Sequence, residues 1–464
     1  MKKINKKLLL NFLIFFILLY VIFLISFIKN TEIRIISFND FHGSIENEKR
    51  VGAEKFFGFI ESNSDQNTII VSAGDNFQGE VLSNEFYGLP IVDFFKKINL
   101  TFSAIGNHEF DWDIDKIYKE WKDIKFISAN VEKNDKLLVE PYFIKEINGV
   151  KIGFIGLSTE EILTKVNKKM LNDIQIQNPV ETARKYVKIL KNKGIKNIVL
   201  VCHIGTYLDK DGKLQFENEE LNELTKIDGI KLIITGHSHK NLISKLNNVF
   251  IIQSGSNGDF LGITKINFRN KKIKNIEIQN INLLENKDKL NNNKIMKKII
   301  DKYKDELNTK NYNDVIFTLN KDLIHSRDKL SDLGIFICEN LSKITNSKIV
   351  ILNSGSIRNS LYKGKITRKN IYEILPFKND LVEIKINGEN LIKNILENQN
   401  KIQYYGFYIK NNKIFLNNNE EILKDNFYNI VINDFMLGSG DNFNFDNPII
   451  IKNYGKITDL LIDI

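Results

Sequence analysis

The feature that most constrains this 464-residue chain is a polar motif that recurs at the ends of short apolar segments. In five places a run of mainly aliphatic residues leads into Asp, Asn or His beside a glycine. The runs cover residues 33–38, 69–71, 102–105, 198–201 and 231–234. They predict buried strands, and the helix-like segments between them, such as residues 181–193, predict a layered α/β sheet. Because ligands gather at one edge of such a sheet, we expect the five polar ends to lie close together.

The residues at these ends are of the types that bind divalent metals. Four of the six histidines in the chain lie there, and His108 makes a fifth. Carboxylate, imidazole and amide ligands together suit Zn, Mn, Fe or Co, whereas Ca²⁺ sites are nearly all oxygen. Two cations about 3.5–4 Å apart and bridged by one carboxylate can hold hydroxide and clamp a phosphoryl group. We predict two divalent metals, with Asp75 as the bridge, Asp40, His42 and His239 on one, and Asn107, His203 and His237 on the other.

Each motif taken singly has a simpler interpretation. Gly236-His237-Ser238-His239 alone is more typical of a turn with surface histidines, and Asp40 could equally cap the turn that follows it. It is the recurrence of the pattern at five strand ends that favours a metal site.

His108 remains unassigned beside Asn107. We predict that it acts as a general acid or transition-state stabiliser, with Asp111 holding its ring in one tautomer. The alternative is that His108 packs beneath its loop.

The ordered set of motifs resembles the signature of calcineurin-like metallophosphoesterases. It consists of Asp40-x-His42, Gly74-Asp75, Gly106-Asn107-His108-Glu109, His203 and Gly236-His237-x-His239, and the third motif with its continuation to Asp111 is similar to the form in 5′-nucleotidases. The resemblance covers about residues 31–270. It implies a layered β-sandwich flanked by helices that hydrolyses phosphoesters with two metals. His239 departs from the pattern, since secreted nucleotidases often carry another residue there.

A second, smaller α/β domain is indicated after residue 285. Residues 286–311 are rich in Asn and Lys, and their apolar residues recur every three or four positions, which predicts a linker helix. We therefore place the phosphoesterase domain at residues 31–285 and the second domain at residues 312–464.

The second domain carries arginines and loop phenylalanines of the kind that bind nucleotides. Phenyl rings can sandwich a base, and arginines can hold phosphate oxygens. The motifs resemble the C-terminal substrate-binding domain of 5′-nucleotidases. On that resemblance Arg327, Asn353 and Arg358 would contact the polar part of the substrate, and Phe377 and Phe443 would stack on its base. Ser354, Ser439 and Asn442 stand where the family commonly has glycine, which affects base preference more than the hydrolase assignment.

The first 30 residues predict an apolar membrane-anchor helix. Four lysines precede residues 8–28, an uncharged run whose helix would span about 31 Å, enough for a bilayer core. No small-residue cleavage site follows, which favours an uncleaved anchor over a removed signal. The positive-inside rule then places the rest of the chain outside the cytoplasm.

The net charge of +9 does not indicate nucleic acid binding. Five of these charges lie in the amino-terminal segment, and the remaining lysine-rich stretches lack interleaved aromatic residues. We expect no nucleic acid partner, and no obligate protein partner is evident. Cys202 and Cys338 are far apart and predict two buried thiols rather than a disulfide.

Together these patterns predict an extracytoplasmic bacterial hydrolase, anchored, periplasmic or secreted, that releases phosphate from nucleotides. On the same scaffold the alternatives are a 2′,3′-cyclic-nucleotide phosphodiesterase, a UDP-sugar or NAD pyrophosphohydrolase, and a nuclease with the same metal core. A non-catalytic nucleoside-binding surface protein is disfavoured, because every expected metal and dyad position is present.

Overall fold

The computed structural model describes residues 30–206, 219–309 and 311–463. Within these ranges no helix is both long enough and apolar enough to cross a membrane. The predicted anchor at residues 1–30 lies outside the described residues except for Asn30, which begins the first strand.

The first domain alternates strands and helices, as its sequence predicts. Its strands are β1 (Asn30–Phe38), β2 (Thr68–Ser72), β3 (Phe102–Ala104), β4 (Phe126–Ile127), β5 (Val131–Lys133), β6 (Lys136–Leu137), β7 (Tyr142–Ile147), β8 (Val150–Ser158), β9 (Ile174–Ile176), β10 (Asn197–His203), β11 (Ile230–Thr235), β12 (Asn241–Leu246), β13 (Val249–Ser254), β14 (Phe260–Arg269) and β15 (Lys272–Asn282). Its helices are α1 (Ala53–Ser62), α2 (Val81–Asn84), α3 (Leu89–Lys97), α4 (Ile162–Lys165), α5 (Pro179–Asn192), α6 (Glu219–Thr225) and α7 (Lys294–Asn308).

Two six-stranded sheets form a sandwich. Their strand orders are β15-β14-β1-β2-β3-β4 and β12-β13-β11-β10-β8-β7. Ile35 and Val71 of the first sheet and Leu232 of the second belong to the same buried cluster between the sheets. In β1 the alternate residues Ile36 and Phe38 face a second core under the helices, which explains why this strand is apolar on both faces. The mixed α/β class predicted for the domain is confirmed.

Strand direction brings the polar strand ends together. β1, β2 and β3 are parallel neighbours in the first sheet, and β10 and β11 are parallel neighbours in the second. The carboxyl ends of these five strands therefore lie on the same edge of the sandwich.

The core beneath the first sheet is unusually aromatic, and the predicted linker helix is part of it. Phe57 stacks on Phe94 with ring centroids 4.9 Å apart, and this cluster also contains Met296, Ile300 and Tyr303 of α7. The period of residues 294–308 predicts the helix, but its apolar stripe packs on α1 and α3 rather than forming a free connection. The boundary proposed at residue 285 therefore leaves α7 packed on the first domain.

The second domain is a smaller α/β unit. Its strands are β16 (Val315–Leu319), β17 (Val350–Asn353), β18 (Gly364–Thr367), β19 (Asp380–Asn387), β20 (Ile402–Tyr405), β21 (Phe407–Lys410), β22 (Lys413–Leu416), β23 (Phe427–Asn433) and β24 (Ile449–Lys456). Its helices are α8 (Asp332–Thr345), α9 (Arg368–Ile374), α10 (Gly388–Glu397), α11 (Asp434–Leu437) and α12 (Ile457–Ile462). The central sheet has the order β20-β17-β23-β19-β24, with one apolar core on each face. Both cysteines are buried and free, as predicted.

We expect Phe57→Ala to lower the free energy of unfolding by about 3–5 kcal/mol, because it leaves a cavity in a packed aromatic cluster. Urea denaturation of the metal-loaded protein measures this change. The matched control is Phe427→Ala, whose side chain is 62% exposed and whose loss should change stability by about 0.5 kcal/mol or less. Equal effects of the two substitutions would contradict this packing.

Candidate metal centre and adjoining cavity

The strand ends bring the seven predicted metal ligands into one cluster. His239 Nε2 lies 3.1 Å from His42 Nε2 and 3.3 Å from Asp40 Oδ1. His203 Nε2 lies 3.0 Å from Asp75 Oδ2. Asn107 Oδ1 lies between two rings, 3.2 Å from His203 Nε2 and 2.9 Å from His237 Nδ1. Three overlapping sets of side chains therefore have the ligand atoms and spacing to hold a metal ion, namely Asp40, His42 and His239, then Asp75, His203 and His237, and lastly His42, Asp75 and His108.

The nitrogen and oxygen atoms that face the centre of this cluster are stabilised by positive charge there. The outward nitrogen of each of three histidines donates a hydrogen bond, from His42 Nδ1 to Gln78 O, from His203 Nδ1 to Ala73 O and from His237 Nε2 to Glu161 Oε2. In the neutral rings the inward nitrogens then carry lone pairs that face the oxygens of Asp40, Asp75 and Asn107. Lone pairs that face each other at hydrogen-bond distance repel unless a proton or a metal cation lies between them. The residues thus fit divalent metals, and the outward hydrogen bonds orient the rings for that role.

The pKa shifts in the cluster also arise from the close approach of carboxylates and imidazole rings. Burial disfavours the charged form of His203, but the carboxylates of Asp75 and Asp40 outweigh burial and raise its pKa. Burial likewise opposes ionisation of Asp40, yet the neighbouring His239 and His203 lower its pKa to about 2. The carboxylates remain ionised, so the site keeps a strong negative potential.

Most of the ligands lie on strained backbone. Asp40, His42, Asp75, His237 and His239 all have positive φ angles, between 49° and 78°. Non-glycine residues rarely adopt this conformation, and it persists where the surrounding structure imposes it. Here the two packed sheets fix the strand ends from which these turns project.

Close approach of the loops after β2 and β3 requires glycine. A Cβ on Gly106 would lie 2.2 Å from Asp75 Oδ1, and one on Gly74 would lie 2.7 Å from the backbone nitrogen of Gly106. The two loops therefore meet backbone to backbone, which brings Asp75 beside Asn107.

Glu109 joins the same two loops and was not assigned a role from the sequence. Its buried carboxylate accepts hydrogen bonds from the backbone N–H groups of Asp75, Asn76 and Gly106 at 3.0, 2.9 and 2.6 Å. Burial and the nearby Asp75 raise the pKa of Glu109 to about 7. In the sequence only its place in the motif points to Glu109. Its role in joining the two loops depends on their packing in three dimensions.

His108 and Asp111 form the predicted pair beside the cluster. His108 Nδ1 donates to Asp111 Oδ2 at 2.6 Å, which leaves Nε2 directed towards Asp75, whose Oδ2 is 4.0 Å away. Burial disfavours the imidazolium, but the carboxylates of Asp111 and Asp75 outweigh it and raise the pKa of His108. The ring lines the cavity rather than packing beneath its loop.

A cavity of about 710 Å³ adjoins the metal cluster and is lined by both domains. Of the predicted substrate residues, Arg327, Asn353, Arg358 and Phe377 line it. The ring of Phe377 stacks on His108, with centroids 5.8 Å apart and planes 21° apart. The guanidinium carbon of Arg358 lies 5.4 Å from the centroid of the same Phe377 ring. A residue of the second domain thus contacts His108, beside the cluster of predicted metal ligands.

Phe443 does not reach this cavity, contrary to the prediction. Its side chain is 1% exposed and packs parallel to Phe445 in an apolar core of the second domain, with centroids 6.1 Å apart. The cavity is instead lined by Phe435, eight residues earlier, on α11. A phenylalanine in a glycine-rich loop is expected to be exposed, but this loop folds back and buries its ring.

Asp441 and Asn379 also line the cavity and were not singled out from the sequence. Asp441 accepts a hydrogen bond from Asn353 Nδ2 at 2.8 Å and forms an ion pair with Lys165 of the first domain at 3.0 Å. Lys169 pairs in the same way with Asp434, at 3.2 Å. These ion pairs connect the two domains along the cavity wall.

Comparison with known proteins identifies the class to which this fold and site belong. Residues 33–241 match the calcineurin-like phosphoesterase family, and residues 314–446 match the 5′-nucleotidase C-terminal domain. The two matches together cover well over half of the chain. The chain belongs to the 5′-nucleotidase family of calcineurin-like phosphoesterases.

Individual relatives are similar at a moderate level. Cell wall protein Lmo0130 of Listeria monocytogenes is 25% identical over 89% of this chain and 64% of its own length. The trifunctional nucleotide phosphoesterase protein YfkN of Bacillus subtilis is 26% identical over 79% of this chain and 27% of its own length. The chain therefore spans less than two thirds of either relative. The 5′-nucleotidase precursor from Thermus thermophilus shares the fold, with a TM-score of 0.79 and 22% identity over 93% of this chain and 96% of that one.

We expect Asp75→Ala to lower the divalent metal content of the purified protein strongly, because this carboxylate belongs to two of the three sets of possible ligands. Elemental analysis after dialysis against manganese or zinc measures the content. Asp111→Ala is the matched control, since its carboxylate belongs to none of these sets and contacts His108 at Nδ1, away from the cluster, and it should retain metal near the wild-type level. Normal metal content in the Asp75 variant would contradict the arrangement.

Proposed function

We propose that this chain is an extracytoplasmic hydrolase that releases phosphate from nucleotides with two divalent cations. The observation that carries the proposal is the meeting of both domains in one cavity. There the aromatic and cationic residues of the second domain lie against a metal-binding cluster of the first, with Phe377 stacked on His108.

The first domain supplies the groups that act on phosphorus. Asp40, His42 and His239 would hold one cation, Asn107, His203 and His237 the other, and Asp75 would lie between them. Such cations lower the pKa of water and neutralise charge on phosphate oxygens. His108 can donate a proton to the leaving oxygen from Nε2, because Asp111 fixes the proton on Nδ1 and stabilises the charged ring.

The second domain supplies the groups that select a nucleotide. Burial and the neighbouring Arg327 lower the pKa of Arg358, so the two guanidinium groups lie where an anion stabilises both. Phe377 and Phe435 offer aromatic faces for a base. Asn353 and Asp441 offer an amide and a carboxylate that can hydrogen-bond to sugar hydroxyl groups.

A second candidate function is hydrolysis of larger nucleotide esters such as UDP-sugars or NAD. The size of the cavity favours it, as does Lys240 on its wall, which can face a second phosphate. The name of the trifunctional relative supports a scaffold that accepts more than one phosphoester.

The extracytoplasmic location rests on the sequence and on the names of relatives. Lysines precede the apolar run at residues 8–28, and the similar proteins include a cell wall protein and a nucleotidase precursor. A reporter enzyme fused after Asn30 should be active outside the cytoplasm, and activity only inside would contradict this part of the proposal.

The test of the function is phosphate release by the purified protein loaded with manganese or zinc. AMP, UDP-sugars, NAD and 2′,3′-cyclic nucleotides are the substrates, and competition by long DNA separates a nuclease from a nucleotidase. We expect release from at least one nucleotide and no competition by DNA. Metal-bound protein that releases phosphate from none of them contradicts the proposal.

His108→Ala should lower kcat by about 10²-fold or more, because proton transfer to the leaving group is lost. Metal content should stay close to that of the wild type, as elemental analysis can show. A parallel loss of metal would mean that His108 is a ligand instead.

Phe435→Ala should raise KM for nucleotides by about tenfold, since stacking on one base contributes about 1–3 kcal/mol. Phe443→Ala is the contrasting variant, because its buried ring should affect thermal stability more than KM. Steady-state kinetics and thermal unfolding of both variants separate the two roles. A larger KM effect at Phe443 would show that its ring, rather than that of Phe435, stacks on the base.

A further inference from the structure

A single buried glutamine connects the two substrate-facing segments of the second domain. Gln403 lies on β20, opposite Leu352 of β17 and therefore one position away from Asn353. Its side chain is fully buried, although amides are rarely placed in an apolar core without a partner.

The amide of Gln403 is fully used in hydrogen bonds. Oε1 accepts from the backbone N–H of Ser331 at 2.9 Å and from its hydroxyl at 2.8 Å. Nε2 donates towards the carbonyl oxygens of Ser326 and Lys329, at 3.0 and 2.9 Å. The third neighbour of Nε2 is the hydroxyl of Ser354, at 2.8 Å.

These contacts fix the segment that carries Arg327. Ser326 and Lys329 lie on either side of it in the chain, and Ser331 caps the amino terminus of α8 just beyond. Ser354 directly follows Asn353, which also lines the cavity. One amide thus hydrogen-bonds to residues that flank Arg327 and to the residue that follows Asn353.

Gly334 makes room for this amide. A Cβ at position 334 would lie 1.9 Å from Gln403 Oε1. The residue is in the first turn of α8, where alanine is the better helix former, so the glycine is explained by the space that Gln403 needs.

The metal-bearing turn of the first domain has a similar arrangement. Gln253 is fully buried on β13; its Oε1 accepts from Ser238 Oγ at 2.9 Å and its Nε2 donates to Gly236 O at 2.6 Å. In both domains an amide on a neighbouring strand ties a functional turn to the sheet.

We propose that Gln403 is a positioning residue that holds the Arg327 segment against the substrate cavity and so determines affinity for the nucleotide. The effect on affinity rests on the proposed function, whereas the ordering of the segment does not. Two variants test both parts. Gln403→Met keeps the volume of the side chain and removes every hydrogen bond, and Gly334→Ala keeps the glutamine but displaces its amide. Gln399→Met, at an exposed position in the same domain, is the matched control.

The first measurement is hydrogen–deuterium exchange of the full-length, metal-loaded protein without substrate. Both variants should speed exchange at residues 325–334, above all at the Ser331 amide, and leave the strands of the central sheet at wild-type rates. Unchanged exchange in this segment overturns the proposal. Faster exchange throughout the second domain also overturns it, because the amide would then only stabilise the domain.

The second measurement compares a nucleoside monophosphate with p-nitrophenyl phosphate, which lacks a nucleoside for the second domain to hold. We expect KM for the nucleotide to rise about tenfold or more with little change in kcat, because small misplacement of a binding group has large effects. The KM for the aryl ester should rise less, because its phosphate is the only group that it offers to Arg327. Wild-type KM for the nucleotide in both variants, or an equal loss on both esters, overturns the role in affinity.

The two measurements also separate this inference from the proposed function. If the wild-type protein cleaves the aryl ester but no nucleotide, the proposed function fails, and exchange alone decides whether Gln403 orders the segment. If the wild type cleaves nucleotides and the variants match it in KM, only the role of Gln403 fails.

Discussion

The structure depends on a cluster of carboxylate oxygens and imidazole nitrogens whose lone pairs face one another at one edge of the β-sandwich. Asp40 and Asp75 are buried as carboxylates, and imidazole nitrogens whose outward N–H groups are already engaged point at the same small volume. Such an arrangement destabilises the chain unless cations occupy it. The positive φ angles of the ligands and the contact between Gly74 and Gly106 add to this cost. Two apolar cores and the carboxylate of Glu109 offset it by fixing the loops from which the ligands project.

The division between domains follows the division of chemistry. The side chains that could hold cations, and the pair of His108 and Asp111 beside them, come from strand ends of the first domain, where the packed sheets fix their geometry. The arginines and phenylalanines that line the adjoining cavity come from loops and helix ends of the second domain. The aromatic ring of Phe377 and the charge of Arg358 bring the two sets within contact distance of His108. Interdomain ion pairs such as Lys165 with Asp441 complete the wall of the same cavity.

Much of the fold and of the cluster could be predicted because it depends on local rules. Short apolar strands that end in glycine and a ligand residue specify both the strands and the edge at which they end, so Asp40, Asp75 and His237 were found together. The packing partners of an individual helix or side chain could not be predicted from local rules. The periodicity of α7 predicts a helix but not the aromatic core that it joins. Two phenylalanines near the same glycine-rich loop look alike in sequence, and only the path of the loop shows that Phe435 faces the cavity while Phe443 is buried.

The stacking of Phe377 on His108 has a thermodynamic consequence. The contact exists only when the two domains are in the arrangement seen here. The binding free energy of any molecule that binds between them therefore includes the free energy of forming this arrangement, in addition to that of its own contacts. Affinity for such a molecule and association of the domains are thus linked quantities. A substitution far from the cavity that changes only how the domains meet will alter apparent affinity by the same factor as it alters the population of this arrangement.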